Sequence, residues 1–600
     1  MAKKYFSNQQ ITDLLRSVAA ALELSSGDNR FRVIAYNRAA DSVEHSGSEI
    51  KDLWDDGKLS ELPGIGEGIA SHLDELFKTG KVRHFKEILK PFPPAIFELI
   101  KIPGIGPKTA LKLCKALGIS KASVAISSLT KAARKGRIAR IEGFGPDSQS
   151  AILTSLEQYA HRDKRLLLPV AQGTAETVIS WMKKNPAVIS IDALGSLRRH
   201  VSTVGDIDIA ISTNNPPSAI SHFCAYPKAV RIIESGDAKA SIVLSNGLQI
   251  DLMVASPLSY GSLLQHFTGS KHHNIALREY AQKKGLSLSE YGITPRPPLN
   301  LRGGGRRPEV ISISTEKEFY NYLGLDWIPP ELRENTGEIE LAKEHKLPNL
   351  VEYADIKGDL QIHSSFDTQT SHDLGESSLS QIFTRAARLG YEYIGLTEHN
   401  PAVSTHSTSE VESILKSKGQ MITKFNLQNG SPYIFNGLEI DIQADGSRSV
   451  PDQALDLLDY ACVSIHSSFH QTKIKMTNRI IAGLNHPKVK FLAHPTGRLL
   501  LQREGIDIDW DKLFDFCVTQ DKWLEIDSWP NRLDLPDNLV REAVKNKVKI
   551  VINTDSHHDS HLDYMKFGVA QARRGWASRP DVVNCSNINE LIDLLKGGDK

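Results

Sequence analysis

The segment GSLRRHVSTVGDIDIAI (residues 195–211), answered by LQIDLMV (248–254), decides what this chain is built around. In GDIDIAI, Asp206 and Asp208 stand two residues apart in an apolar run, and the period of two along a strand sets both carboxylates on one face. Asp251 sits in a second run, flanked by apolar residues in the same way. Carboxylates set side by side repel unless a cation joins them. Three of them suit a pair of Mg²⁺ ions about 3.5–4 Å apart, the clamp used for in-line phosphoryl or nucleotidyl transfer. The Gly195–Ser196 turn offers a backbone N–H and a hydroxyl to triphosphate oxygens, and Arg199 offers a guanidinium fork. A single Asp-x-Asp is more often a solvated strand edge; the turn, the arginine and the second flanked aspartate together make that explanation poor.

Upstream, QQITDLLRSVAAALEL and FRVIAYNRAADSVEH carry apolar residues at helical spacing. A pattern then recurs three times: ELPGIGEGIASHL (61–73), KIPGIGPKTALKL (101–113) and, less regularly, RIEGFGPDSQSAIL (140–153). Each copy puts Gly-x-Gly just ahead of an amphipathic helix. Gly64 and Gly66, and again Gly104 and Gly106, can then bring the N–H groups of a helix start close to a phosphate, gripping a backbone without reading bases.

Around the opening segment, AVISIDALG, GDIDIAIS, ASIVLS and LQIDLMVA predict strands of a mixed α/β unit. A Gly/Pro-rich stretch (293–310) and a charged, helical connector, ELRENTGEIELAKEHKLPN, mark a candidate boundary. Beyond it DLQIH, YIGLTEH, YIFNGLE, YACVSIH, KFLAHP, WLEID and KIVINTDSH alternate with helical segments, predicting seven parallel strands with helices outside. Nearly all end in His, Glu or Asp at the carboxyl side, where β/α barrels gather their active groups. His363, His399, Glu439, His466, His494, Asp555 and His557 are therefore candidate ligands of Zn²⁺ or Mn²⁺.

Length and charge agree with this division. Six hundred residues predict about four domains at roughly 150 each. Residues 1–310 carry 41 Lys and Arg against 29 Asp and Glu, and residues 311–600 carry 31 against 42. The basic half points to a polyanionic partner. The acidic half holds 11 of the 21 histidines between His363 and His561, as a metal site would. Five scattered cysteines exclude a disulfide framework and a thiolate zinc finger. No apolar run is long enough to span a membrane, and the polar N-terminus predicts a cytoplasmic, nucleoid-associated protein.

The order GSLRR, TVGDIDIAI, LQIDLMV and HFTGSKHHNIALREYAQKKGLSLSEYGI resembles the catalytic half of family X DNA polymerases, the group that includes polymerase beta. Residues 356–600 resemble the PHP (polymerase and histidinol phosphatase) domain that the bacterial branch appends. The resemblance implies a multidomain α+β and α/β chain. It would comprise an N-terminal helical domain with the first helix-hairpin-helix (1–90), a fingers-like helical domain with the second (91–155), a nucleotidyltransferase palm (156–260), a thumb (261–330), a linker (331–355) and a PHP domain folded as a distorted seven-stranded β/α barrel (356–600). It implies gap-filling DNA synthesis in repair, including base excision repair, on gapped or primed double-stranded DNA with deoxynucleoside triphosphates, and a 3′–5′ exonuclease in the PHP domain. An inactive PHP scaffold and a nucleotidyltransferase with a non-DNA acceptor are the alternatives.

By position, Asp206, Asp208 and Asp251 match the metal triad. Gly195, Ser196, Arg199 and Gly205 match the triphosphate site, Phe267 and Gly269 the residues against the nucleotide sugar, Asn274 a minor-groove contact and Arg278 a template-side contact. Glu439 matches a bridge between two metals, with His466 and His494 completing one site, His363 and Asp555 serving a second, and His399 and His557 a third. Several positions depart from the pattern. His266 stands where Tyr is usual, and His72 and Gly68 stand where lysines of the abasic-sugar lyase are expected, with His72 read as a surface helix residue. Gln361 replaces the first His of His-x-His, and Thr368 occupies the spacing of the usual aspartate with Asp367 one residue early, which predicts incomplete metal sites.

Overall fold

The structure, a computed structural model, describes residues 6, 8–27, 29–45, 50–55, 59, 62, 64–102, 104–160, 165–245, 247–295, 309–402 and 405–597. Most of the Gly/Pro-rich stretch at 293–310 lies outside them. The chain forms two compact units: Met1–Gly173 with Leu499–Glu504, and Thr174–Arg498 with Gly505–Lys600.

In the first unit, helices α1 (Asn8–Leu24) and α2 (Arg30–His45) share a core of Ile11, Leu15, Val18, Tyr36, Ala39 and Val43. The spacing of these residues is the one read from the sequence. Three hairpins lead into α3 (Glu67–Thr79), α4 (Pro107–Leu117) and α5 (Pro146–Ala160). Their backbones repeat one design. Gly64, Gly104 and Gly143 adopt φ of +74°, +79° and +77°, a left-handed conformation open to glycine at little cost. The turn is closed each time by the same bond: Ile65 N to Leu62 O, Ile105 N to Ile102 O, and Phe144 N to Ile141 O. The third copy, the least regular in sequence, is therefore a hairpin of the same geometry.

His72 is not a free surface residue. Its Nδ1 lies 3.2 Å from the Tyr36 hydroxyl and its ring stacks on His84 with centroids 4.8 Å apart. Burial and the neighbouring His84 lower its pKa.

The second unit begins with a five-stranded sheet: β1 (Ser190–Ala193), β2 (Ile207–Ser212), β3 (Ala229–Ser235), β4 (Lys239–Leu244) and β5 (Gln249–Ala255), in the order β1-β2-β5-β4-β3. Strand β3 had no strand expectation although its sequence carries Val230, Ile232 and Ile233; at the edge of the sheet these side chains stay exposed. Ile207, Ile209 and Ile211 of β2 and Ile250, Leu252 and Val254 of β5 are buried, each worth about 1.5–3 kcal/mol. That alternation leaves the aspartates on the opposite face.

Helices α6 (Tyr260–Thr268), α7 (Lys271–Lys283) and α8 (Glu316–Tyr322) follow. Their core of Leu277, Ile293, Phe319, Tyr320 and Ile328 takes in Trp576 from near the C-terminus. The segment 331–355, expected as a linker, packs against its neighbours. Arg333 and Glu338 are fully buried; Arg333 pairs with Glu316 at 2.6 Å, and Glu338 accepts from His273 at 2.6 Å. These buried charges answer buried partners, which the polar composition of the connector did not reveal, while Glu340, Lys343, Glu344 and Lys346 face water.

The C-terminal region contains β6 (Gly358–Ile362), β7 (Tyr393–Leu396), β8 (Tyr433–Asn436), β9 (Glu439–Asp441), β10 (Ala461–Ser464), β11 (Val489–Leu492), β12 (Trp523–Asp527) and β13 (Ile550–Asn553). All neighbouring pairs are parallel. β8 and β9 are one pass broken at Gly437–Leu438, so the chain makes seven passes, distributed as a three-stranded and a five-stranded sheet. Parallel bridges His399 to Glu439 and Ile362 to Ser556 join the two sheets at both seams. No helix among the described residues is long and apolar enough to cross a membrane.

Candidate functional site

Two groups of chemistry-bearing side chains stand on the second unit. On the first sheet, β2 and β5 run parallel with Asp208 directly beside Asp251, and Asp206 precedes β2 on the same face. Gly195, at φ +58°, opens the short helix Gly195–Arg198 against them; a Cβ there would meet Asp208 Oδ2 at 3.3 Å. Burial together with the charges of Asp206 and Asp251 raises the Asp208 carboxyl to about 7. Burial also works on Asp251, but hydrogen bonds from Gln249, Ser241 and Lys239 outweigh it and hold that carboxyl low. Gln249 donates to it at 2.8 Å and Lys239 Nζ lies 3.2 Å away. Lys239, absent from the sequence reading, thus supplies part of the positive charge this face demands. An all-oxygen donor set in which one member resists ionisation fits hard divalent cations such as Mg²⁺.

Arg199 Nη1 donates to Thr268 O at 2.6 Å and its Nε to Glu334 at 3.0 Å. Gly269 lies against it, with room for a Cβ only 3.1 Å from Arg199 Nη1. Ser196 and Phe267 are half-buried, whereas Gly205 and Asp206 are exposed. Asn274 is engaged within the protein, donating to His266 O at 2.7 Å and accepting from Gln265 at 2.9 Å. His266 lies over Phe267, 4.8 Å between centroids. Arg198, which had no assigned role, grips Glu316 through both Nη atoms at 2.9 and 2.7 Å.

The second group lies at the carboxyl ends of the parallel strands. Among the described residues, four sets of potential ligand atoms lie within 4.8 Å of one another, all here: His363/His399/His557, His372/His399/His466, Glu439/His466/His494 and His363/Glu439/Asp555. Glu439 Oε1 faces His494 at 3.2 Å and His466 at 3.6 Å, while Oε2 faces His399 at 3.2 Å and His363 at 3.4 Å. All seven candidate ligands are therefore brought together. His494 and Asp555 adopt φ of +31° and +50°, a strained backbone at strand ends that the surroundings must hold. The N–H of His494 donates to buried Glu525 at 2.7 Å. His399 Nδ1, His494 Nδ1 and His557 Nε2 are buried without a hydrogen-bond partner. Although burial opposes it, Asp555 and Glu439 hold a proton on His363 up to about 10. Imidazoles and carboxylates converging with unpartnered nitrogens, and a proton captured between two carboxylates, fit Mn²⁺ or Zn²⁺.

The loop after β6 corrects the sequence reading. Thr368 is buried and donates to His399 O at 2.7 Å, and exposed Asp367 caps the N–H of Gln369. The carboxylate facing the third site is Asp373, 3.8 Å from His399 Nε2 and 3.7 Å from His557 Nε2. Gly375 brings it there by packing on the His363 carbonyl, where a Cβ would fall 2.1 Å from the oxygen. His372 also enters the site and shares Asp441 with His466, at 2.7 Å to each. A spacing rule failed because this loop is longer and irregular; a His-Asp pair after it was the available signal. Gln361 lies between Asp555 and Glu525. The orientation that satisfies its amide donates nitrogen to Glu525 and leaves its oxygen 3.4 Å from Asp555, two acceptors that a shared cation would reconcile.

Fold and sites together define a nucleotidyltransferase-type chain with helix-hairpin-helix modules. Family profiles match accordingly: a helix-hairpin-helix domain at residues 6–82, a SAM-like helix-hairpin-helix tandem at 96–157, and the DNA polymerase beta thumb at 263–334. The chain is 32% identical over 593 residues to the DNA polymerase/3′-5′ exonuclease PolX of Bacillus subtilis (strain 168), covering 98% of this chain and 100% of that protein. DNA polymerase lambda of Arabidopsis thaliana is 26% identical over 359 residues, 54% of this chain and 62% of that protein. Its counterpart from Rattus norvegicus is 26% identical over 352 residues, 54% and 56%. The chain belongs to the family X DNA polymerases.

Proposed function

We propose that this protein is a DNA-directed DNA polymerase that fills short gaps during repair, and that its C-terminal region is a PHP domain acting as a metal-dependent 3′–5′ exonuclease. The observation that carries the first part is the register of Asp208 beside Asp251, with the Gly195 turn against them. Asp206, Asp208 and Asp251 would hold two Mg²⁺ ions, which supply charge stabilisation to the attacking and leaving oxygens. Asp251 orients the primer 3′-hydroxyl. Gly195, Ser196, Arg199 and Gly205 bind the triphosphate, Phe267 and Gly269 shape the sugar pocket, and Asn274 and Arg278 read the minor-groove and template sides. The hairpin glycines Gly64, Gly66, Gly104 and Gly106 hold the DNA backbone, and the geometry of Gly143 extends that role to the third copy.

The exonuclease reading is supported by seven converging ligands joined by Asp373 and His372, a set that an inert scaffold has no reason to keep. His363, Glu439 and Asp555 would hold one metal, Glu439, His466 and His494 a second, and His399, His557 and Asp373 a third; Mn²⁺ or Zn²⁺ would supply a polarised phosphate and an activated water. No lyase step is assigned to the first hairpin, because the imidazole of His72 forms no stable iminium with an aldehyde. Incubating the full chain with 5′-labelled gapped DNA, with and without nucleotides, under Mg²⁺ and then Mn²⁺, tests both parts. Extension in the first case and chelator-sensitive shortening in the second are expected; a labelled strand unchanged under all conditions refutes the reading.

A further inference from the structure

Arginines of the C-terminal barrel reach the nucleotide side of the first sheet through a short acidic segment, Glu331–Glu334. Helix α9 (Met565–Arg574) ends there. Arg574 donates from Nη1 to the backbone oxygen of Arg199 at 2.8 Å and to Glu334 Oε1 at 3.1 Å. That Glu334 oxygen also accepts from Arg199 Nε at 3.0 Å. Arg574 is in turn fixed by Asp537, which accepts from its Nε at 2.9 Å. One residue earlier, Arg573 repeats the arrangement on Glu331, which also faces His200. The Arg574 side chain is only 5% exposed and that of Arg199 13%, while Glu334 is 29% exposed, so solvent screens these charges only in part.

Glu334 therefore has two guanidinium partners on one oxygen. With Arg574 in place, the carboxylate is already neutralised and Arg199 keeps donor capacity for phosphate oxygens. Without Arg574, Arg199 becomes the main countercharge of the part-buried Glu334 carboxylate, and a triphosphate must compete with Glu334 for it. We propose that Arg574 is a positioning residue for nucleotide binding: the barrel domain holds Glu334 so that Arg199 stays available to the incoming triphosphate. This rests on the polymerase reading above and extends it, because the site for one activity would be completed by the domain that carries the other.

The test is steady-state gap filling by the full-length protein, with the nucleotide KM separated from kcat. Arg574→Ala should raise the nucleotide KM by about tenfold while kcat at saturation changes less than about threefold, with gapped-DNA affinity near wild type. Because Arg574 is buried between two carboxylates and its loss also disturbs packing, the decisive variant is the double substitution Arg574→Ala/Glu334→Gln. Removing the carboxylate that captures Arg199 should return KM towards the wild-type value. Simple loss of packing would give no such recovery. An Arg574→Ala protein with unaltered KM overturns the proposal, and so does a raised KM that Glu334→Gln fails to lower. If the wild-type protein extends no primer under any metal, it is the polymerase reading that fails.

Discussion

The carboxylate triad on the mixed sheet and the histidine-rich clusters on the parallel strands face the same problem, crowded ligands without a cation, and meet it differently. On the sheet, Asp208 is raised to about 7 and Lys239 leans on Asp251, so charge is relieved by a proton and by a neighbouring ammonium. In the clusters, Glu439 alone faces four imidazoles, and the rings hold Glu439 and Asp555 low against burial. An open site of hard oxygen ligands suits a metal that arrives with its substrate, while a buried site of imidazoles suits a resident ion. The two centres should therefore part company in metal, in pH response and in the effect of mutation.

The sharpest break would come from reciprocal loss. Asp251→Asn should reduce primer extension by about 4 kcal/mol of transition-state stabilisation, on the order of a thousandfold, and leave gapped-DNA binding and 3′-end shortening intact. His494→Ala should do the reverse, abolishing shortening and one metal equivalent while extension persists. Either variant losing both activities would show that the centres are not independent, although they share one compact unit.

Within the clusters, Asp373 decides whether the third site is complete. Asp373→Asn should weaken one metal equivalent by about 10- to 100-fold, the usual cost of losing a carboxylate around histidine ligands, and slow shortening without stopping it. Elemental analysis after dialysis against a graded chelator reads this directly. Asp367→Asn, an exposed loop change, should have no such effect.

Much of this comparison was legible in the sequence because it rests on strand periodicity. The alternation that buries Ile207, Ile209 and Ile211 also aims Asp208, and six of the seven strand ends announced the seven ligands. The rest depends on tertiary closure. Asp373 and His372 arrive on an irregular loop folded back by Gly375, and no period marks such a path. The buried pairs of Arg333 with Glu316 and of Lys418 with Glu398 look, in sequence, like solvated charge. Strand β3 shows the converse: its sequence is apolar and β-branched, yet Val230, Ile232 and Ile233 lie exposed on the edge of the sheet.

The pH response is the next smaller effect. Asp208 lies above its ordinary value, so in the metal-free protein it holds a proton below about pH 7 and is ionised only above it. Linkage then runs in a stated direction. The native state binds the proton more tightly than the unfolded chain, and this favourable contribution fades as pH rises through 7. Mg²⁺ must displace that proton. At limiting Mg²⁺, extension should fall by up to tenfold per unit below pH 7 and recover as Mg²⁺ is raised. Extension at limiting Mg²⁺ that is flat from pH 6 to 8 would contradict the charge conflict read from the three aspartates.

The smallest expected effect probes the one amide in the clusters. Gln361 sits between Asp555 and Glu525, and burial with the nearby Asp527 charge keeps Glu525 well above the ordinary carboxyl range. A protonated Glu525 can share a hydrogen bond with either an amide or an imidazole, so Gln361→His does not strand a buried charge. The gain should come from replacing an amide oxygen with a nitrogen that Mn²⁺ and Zn²⁺ prefer, and the loss from fitting a ring into a position with no exposure. These nearly offset, and a rise of only a few-fold in retention of the metal held by His363 and Asp555 is expected, measured by competition with a chromogenic chelator. If retention falls instead, the amide is the ligand this site is built for, and the buried Glu525 beside it is the reason an imidazole is not.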